Sequence, residues 1–344
     1  VTLPIAIDGL GGDKAPSSVV EGMSLALVRL PQLSFCLFGD ESALMPLLKR
    51  DKKLARATSI VHAPERVEAT TKPGEALRIR KSSMRLAIES VKKGQCAAVV
   101  SGGNTGAYLA LAKMILKTLQ GISRPAIVSQ VPHANGESIF LDLGGNVSCS
   151  ARNLVEFALM GYCFAKHVLF RHHPRVGLLN VGSELLKGPK VLQETSDILR
   201  EILPHFHGFV EGNDITKGTV DVVVTDGFSG NVALKMGEGV LDFFVSSLRA
   251  AFRSSWSARL GYWMAKPALK SVFAQLDPRR YNGAFWLGVD GVAVKSHGGT
   301  DALGFSHAIE TAFDISKSRL NEKIKEEMAA LESHQVFQKM RRAS

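Results

Sequence analysis

Four cysteines in 344 residues (Cys36, Cys96, Cys149 and Cys163) lie far apart, with no C-x-x-C pair and no zinc-ligand spacing. A disulfide framework and a structural zinc site are therefore not expected, and the thiols read as reduced residues of a cytoplasmic protein. No apolar run reaches the ~18 residues that would span a bilayer. The first residues enter a strand pattern at once, so no signal peptide is predicted. Catalytic signatures are also scarce. Gly227-Phe-Ser-Gly230 is not a nucleophile elbow, Gly182–Gly188 lacks the Gly-Lys-Ser/Thr close of a P-loop, and Gly9-Leu-Gly-Gly12 lacks dinucleotide spacing. No cluster of His, Cys, Asp and Glu has metal-ligand spacing, so no metal is expected.

What is present is a repeated design. Short apolar runs stop at polar, glycine-rich turns: Ile5–Ile7 at Asp8-Gly-Leu-Gly-Gly-Asp13, Ala97–Val100 at Ser101-Gly-Gly-Asn-Thr-Gly106, Ser138–Leu141 at Asp142-Leu-Gly-Gly-Asn146, Val176–Leu179 at Asn180-Val-Gly182, and Val220–Val224 at Thr225-Asp-Gly-Phe-Ser-Gly-Asn231. Further strands are predicted at Ser34–Phe38, Ile60–His62, Ala126–Val131, Phe206–Val210 and Gly291–Lys295. Helices are predicted at Ser17–Leu30, Ser82–Lys93, Ala107–Leu119, Leu154–Val168, Lys190–Leu203 and Val232–Phe252. Such alternation predicts an α/β fold, a doubly wound, mostly parallel sheet with helices on both faces. In a fully parallel sheet all these turns share the carboxyl edge, which predicts a single crevice for a small anionic or carbonyl-bearing ligand.

The residues available there are amides and cations. Asn104, Asn146, Asn180 and Asn231 can orient a carbonyl or phosphate oxygen while staying neutral, and Lys187 supplies a full charge. Together they suit a reaction in which an oxyanion attacks a carbonyl. Ser229 and His297 lack a third, orienting group; Ser229 reads as a turn residue and His297 as a phosphate or backbone hydrogen-bonding group. Arg78-Ile-Arg-Lys-Ser-Ser83 is either an anion site at a helix start or a solvated basic face.

The balance is basic, 42 Lys+Arg against 32 Asp+Glu. No nucleic-acid motif accompanies it, so an anionic membrane or an acidic protein is the expected partner. From Asp242 to Leu276 a helical hairpin is predicted. Phe244, Leu248, Phe252 and Trp256 share one face, and Gly261 and Pro267 are expected to interrupt the helix around Tyr262-Trp263-Met264. Arg249, Arg253, Arg259, Lys266 and Lys270 rim it. A dimer interface or core packing and a membrane or partner surface are both open for this segment. A charged helix is predicted from Ser316 into a basic tail, giving one α/β domain over 1–325 and a tail over 326–344.

Taken in order, these motifs resemble the bacterial phosphate acyltransferases, the acyl-[acyl-carrier-protein]:phosphate transacylases of phospholipid synthesis. The resemblance also includes Arg124-Pro-Ala126, Arg175–Gly182, Lys187-Gly188, Phe209–Asp214, Val220–Lys235 and Val294-Lys-Ser-His-Gly298, and runs from about residue 3 to about 315. Gly9, Gly102 and Ser148 depart from the usual alanine, alanine and aspartate. The resemblance implies the isocitrate/isopropylmalate dehydrogenase-like fold, a homodimer, and transfer of a long-chain acyl group from acyl carrier protein to inorganic phosphate. The product feeds a membrane glycerol-3-phosphate acyltransferase. It further implies Lys187 and Asn231 as the catalytic pair. Asp8, Gly11, Gly12, Asp13, Asn104, Thr105, Asp142, Asn146, Asn180, Asp226, Lys295 and His297 are then expected around the substrates. Arg249, Arg253, Trp256, Arg259, Trp263, Met264, Lys266 and Lys270 are expected to meet carrier protein or an anionic membrane, making a cytoplasmic, peripherally membrane-associated protein. Two rivals differ in kind. A non-catalytic docking protein would not need polar loops at every strand end, and a dehydrogenase of this fold would need an acidic metal cluster.

Overall fold

Four-residue apolar runs such as Ile5–Asp8 and Ala98–Ser101 are buried along their whole length, as strands covered by helices on both faces must be. The computed structural model describes residues 3–133 and 135–332. The first half runs β1 (Ile5–Asp8), α1 (Ser17–Arg29), β2 (Phe35–Gly39), α2 (Glu41–Leu48), α3 (Lys52–Ala57), β3 (Thr58–His62), α4 (Pro73–Ala76), α5 (Ser83–Lys92), β4 (Ala98–Ser101) and α6 (Thr105–Leu116). A hairpin of β5 (Ala126–His133) and β6 (Gly136–Leu141) leads into α7 (Ala151–His167), β7 (Val176–Leu179), α8 (Lys190–Ile202), β8 (Phe206–Val210), α9 (Gly212–Lys217) and β9 (Val222–Val224). Two long helices follow, α10 (Gly227–Arg253) and α11 (Trp256–Gln275), then β10 (Ala284–Leu287), β11 (Val292–Lys295), α12 (Ala302–Ser318) and α13 (Leu320–Glu332).

One sheet of order β3-β2-β1-β4-β11-β10-β5-β6-β9-β7-β8 carries the fold. It is mostly parallel, as the sequence predicts, but not in one direction throughout. β10 is antiparallel to both β11 and β5, and β5 is antiparallel to β6. Thus β6, β9, β7 and β8 point opposite to β1, β2, β3, β4 and β11. The expectation of one shared carboxyl edge is therefore corrected: the glycine-rich turns fall into two groups at opposite edges. The turns after β1, β4 and β11 form one group; those after β6, β9 and β7 form the other. The cause is the β5–β6 hairpin: β10 runs antiparallel to both its neighbours, so β11 and β5 still point the same way, and the direction reverses at the antiparallel β5–β6 pair.

The core is continuous across both halves. Helix α7 is buried on nearly every face beneath β6, β9 and β7, and α13 covers it through Leu320, Ile324 and Met328. The predicted single helix from Ser316 is instead two, because Arg319 adopts a left-handed backbone (φ 54°) between α12 and α13. The boundary expected at 325 falls inside α13, whose Met328 is core; residues 333–344 of the predicted tail lie outside the described residues.

Candidate active site

At the edge formed by β6, β9 and β7, three neighbouring strands release three polar turns side by side. The first is organised by Asp142, fully buried at the end of β6. One of its oxygens accepts from the Ile127 and Gly145 N–H groups (2.8 and 3.0 Å). The other accepts from the Asn146 N–H and side-chain amide (2.7 and 2.8 Å). Burial raises the Asp142 pKa, and these donors oppose the rise. Asn146 also donates to the Pro125 carbonyl, so its amide braces the loop rather than reaching out. Asp142 is a framing residue here.

The second turn starts α10. Asp226 is its N-cap, accepting from the Ser229 N–H at 2.8 Å and from its hydroxyl at 3.2 Å, which makes Ser229 the capping-turn residue that the sequence predicts. Gly227 and Gly230 are required: a Cβ on Gly230 would lie 1.9 Å from the Asp142 carbonyl, and one on Gly227 would lie 2.7 Å from that of Asn146. The first turn of a 27-residue helix is thereby pressed onto the Asp142 loop. Asn231, one residue on, is exposed, lies against Gly144 of that loop, and makes no side-chain hydrogen bond among the described residues. Its amide is free to meet a ligand beside a helix N-terminus, where partial positive charge accumulates.

The third turn follows β7. Asn180 is nearly buried and donates to the Lys187 carbonyl (3.0 Å), while its Oδ1 has no hydrogen-bond partner. Lys187 folds its side chain over Gly182 and pairs with Glu184 at 2.7 Å. That hydrogen bond, with the Glu184 charge behind it, raises the Lys187 pKa, so the exposed ammonium keeps its proton across the neutral range. The edge thus carries one cation, one free amide and a helix N-terminus on adjacent strands. Such donors suit an oxyanion and the charge it generates on a carbonyl.

The opposite edge is built differently. Strand order reverses between β1 and β4, and Asp8, Ser101 and Lys295 end three adjacent strands there. Buried Asp8 accepts from the Ser83 and Ser101 hydroxyls, each at 2.6 Å, and burial raises its pKa. Buried Lys295 donates to the Ser296 carbonyl; desolvation lowers its pKa to about 8, against the opposing charges of Asp8 and Asp13. Gly11 packs so tightly on Asp8 that a Cβ would sit 2.4 Å from its carboxylate, and the Gly12 carbonyl accepts from Arg66 at 3.0 Å. The Asp13 N–H donates to Gly298, while its carboxylate is exposed beside the Gly298-Gly299 backbone. His297 accepts from the Gly299 N–H at 3.2 Å, a backbone role, and stands at the edge opposite Ser229, so the two form no nucleophile–base pair. Asn104 spends its amide on the Ala69 and Thr71 carbonyls and its oxygen on the Ala107 N–H; Thr105 is exposed at the start of α6. The residues expected around one ligand are thus divided: Asp142, Asn146, Asn180, Lys187, Asp226 and Asn231 at one edge, Asp8, Gly11, Gly12, Asp13, Asn104, Thr105, Lys295 and His297 at the other.

Helices α10 and α11 depart in detail from the predicted hairpin. The break comes at Ser254-Ser255, so Trp256 opens α11 instead of sharing the Phe244 face, and α11 runs through Gly261 and Pro267 without a break. On an exposed helix, proline removes one backbone hydrogen bond whose carbonyl water can satisfy. Phe252 and Tyr262 meet across the break (ring centroids 5.2 Å apart). Trp256, Trp263 and Met264 are more than two-thirds exposed. Arg249, Arg253, Arg259, Lys266 and Lys270 are exposed and make no ion pair among the described residues.

The comparison with known proteins fits this architecture. The profile of the family described as "Fatty acid synthesis protein" matches residues 3–323. The chain belongs to that family. A Rhodospirillum rubrum protein named phosphate acyltransferase is 53% identical over 334 residues, covering 96% of both chains. One of the same name from Granulibacter bethesdensis is 52% identical, over 95% of this chain and 89% of its own. Among solved structures, a phosphotransacetylase from Streptococcus pyogenes superposes with a TM-score of 0.61 at 18% identity, over 93% of this chain and 94% of that one. A Salmonella typhimurium protein assigned as a 4-hydroxythreonine-4-phosphate dehydrogenase gives 0.55 at 14% identity, over 92% and 100%. These two show that the family's fold is shared by phosphotransacylases and dehydrogenases. The residues that brace the sites, namely Ser83 and Ser101 on Asp8, Glu184 on Lys187, and Asn282 on His297, carry no sequence signal, because most of these contacts join distant segments.

Proposed function

We propose that this acyltransferase moves a long-chain acyl group from the thioester of acyl carrier protein to inorganic phosphate, and that Lys187 and Asn231 carry the reaction. Phosphate is already an ionised nucleophile at neutral pH and a thioester is already activated, so no cofactor is required. A phosphate oxygen attacks the thioester carbonyl, the carbon–sulfur bond breaks, and the thiolate leaves on the carrier. Lys187 holds phosphate or the developing oxyanion, Asn231 orients it, and the α10 N-terminus adds positive potential. Holding both reactants in place can contribute roughly 7–11 kcal/mol to lowering the barrier. The observation that supports this most is the free Asn231 amide on the turn next to that of Lys187, on adjacent strands β9 and β7. The names of the close relatives support acyl transfer to phosphate.

The working form in this reading is a homodimer that associates reversibly with anionic membrane, handing acyl phosphate to a membrane glycerol-3-phosphate acyltransferase. The exposed aromatics and unpaired cations of α10 and α11 support it. No helix among the described residues is long and apolar enough to cross a membrane, so attachment would be at its surface. The deciding assay is thiol release from long-chain acyl carrier protein with and without phosphate. Release that does not depend on phosphate would sink the proposal.

A further inference from the structure

Two thiols outside both edges converge on one cavity. Cys36 lies half-buried in β2, and Cys96 is buried in the loop that carries α5 into β4. Together with Phe38, Val61, Leu86 and Lys93 they line a cavity of about 380 Å³. The Cys96 loop is tied down, its N–H donating to the Ser90 carbonyl at 3.3 Å. The Ser59 hydroxyl of β3 stands 3.3 Å from the Cys36 sulfur, and Cys96 lines the same cavity. The neighbouring Cys96 thiol and then the Ser59 hydroxyl hold the Cys36 pKa down to about 6, while the Cys36 sulfur and burial push Cys96 up. Cys149 and Cys163 are unlike them: burial foremost pushes each up to about 12. A partly accessible thiolate with a second thiol on the same cavity is the arrangement of a reactive cysteine with its resolving partner.

We propose that Cys36 and Cys96 form a modification site, a peroxide-oxidised pair that closes to a reversible disulfide. The Cys36 thiolate attacks one oxygen of hydrogen peroxide; the sulfur–oxygen bond forms as the oxygen–oxygen bond breaks, and the departing hydroxide takes a proton and leaves as water. Cys36 is oxidised by two electrons to the sulfenic acid and the peroxide is reduced. The Cys96 sulfur then attacks that of Cys36, forming the disulfide, and the hydroxyl leaves as a second water with the proton Cys96 surrenders. Two thiols and one peroxide give one disulfide and two waters. A dithiol reductant reverses the change.

The test treats the full chain near pH 7 with one equivalent of hydrogen peroxide and counts thiols after denaturation. Free thiols fall from the four of the sequence toward two, and peptide mapping joins Cys36 to Cys96. Cys96→Ser stops at a Cys36 sulfenic acid that dimedone traps; Cys96→Ala, which reacts more slowly because it also removes the donor beside Cys36, gives the same trapped product if serine at this buried position unfolds the chain. Cys36→Ser slows thiol loss by on the order of tenfold or more, the advantage of a preformed thiolate. Oxidation that lands first on Cys149 or Cys163 overturns the proposal. So does a wild-type Cys36 sulfenic acid that accumulates without closing on Cys96, or a link that forms only between separate chains.

Discussion

Asn180 donates its side-chain amide to the Lys187 carbonyl at 3.0 Å while its own Oδ1 stays buried without a partner. The loop after β7 is thus held by Asn180 together with Gln193, which donates to the Leu186 and Gly188 carbonyls, and Gly188 lets it close. Gly188 has φ +86°, and a Cβ there would lie 2.0 Å from Asn180 Oδ1. Gly188→Ala is expected to cost on the order of 1–3 kcal/mol through the strained backbone alone and to displace Lys187. Thermal unfolding and turnover measured on the same preparation check this. Native activity in that variant would show that the loop is not what positions Lys187.

Lys187→Ala and Asn231→Ala are each expected to lower phosphate-dependent turnover by on the order of 10²–10³, the usual consequence of removing a fixed oxyanion donor. Both side chains are exposed, so circular dichroism and melting temperature should stay close to wild type. Near-native kcat/KM in either variant would remove that residue from the proposed site.

Lys295 makes stability depend on alkaline pH in a defined sense. Burial depresses its folded pKa to about 8 from the ordinary 10.5, so the unfolded chain binds the extra proton more readily between those values. Stability from this group is therefore present above 10.5 and lost as pH falls through 8, a change of about 3 kcal/mol. Denaturant unfolding from pH 8 to 10.5 should show the rise in wild type and not in Lys295→Met. The same slope in both proteins would assign it to other groups.

For the exposed helices, wild type is expected to bind vesicles of anionic lipid and to release at high salt. Each cation near a charged surface is worth about 1 kcal/mol and is screened within a Debye length. Replacing Trp263 and Met264 with Asp should weaken binding while leaving turnover on soluble carrier protein intact. If sedimentation with vesicles is unchanged and the dimer dissociates instead, this surface belongs between subunits.

Strands and turns were legible in the sequence because they are local. An apolar run of four or five residues closing on Gly, Asp and Asn specifies both a buried strand and its polar end, and motif order alone led to the family. That Lys187 and Asn231 leave neighbouring strands of one edge was decided by the insertion of β9 between β6 and β7. The division of the polar turns into two opposite edges was invisible for a related reason. Strand direction is set by which strands pair: the antiparallel β5–β6 pair turns the second half of the sheet against the first, and β10 joins the halves into one sheet by pairing with β5, a strand more than a hundred residues away. Asn104 and Asn146 look like ligand donors when read along the chain; only the fold shows their amides committed to the carbonyls of Ala69, Thr71 and Pro125. A residue's type establishes what it can donate or accept. Whether that capacity remains free is decided by the neighbours that tertiary structure brings to it.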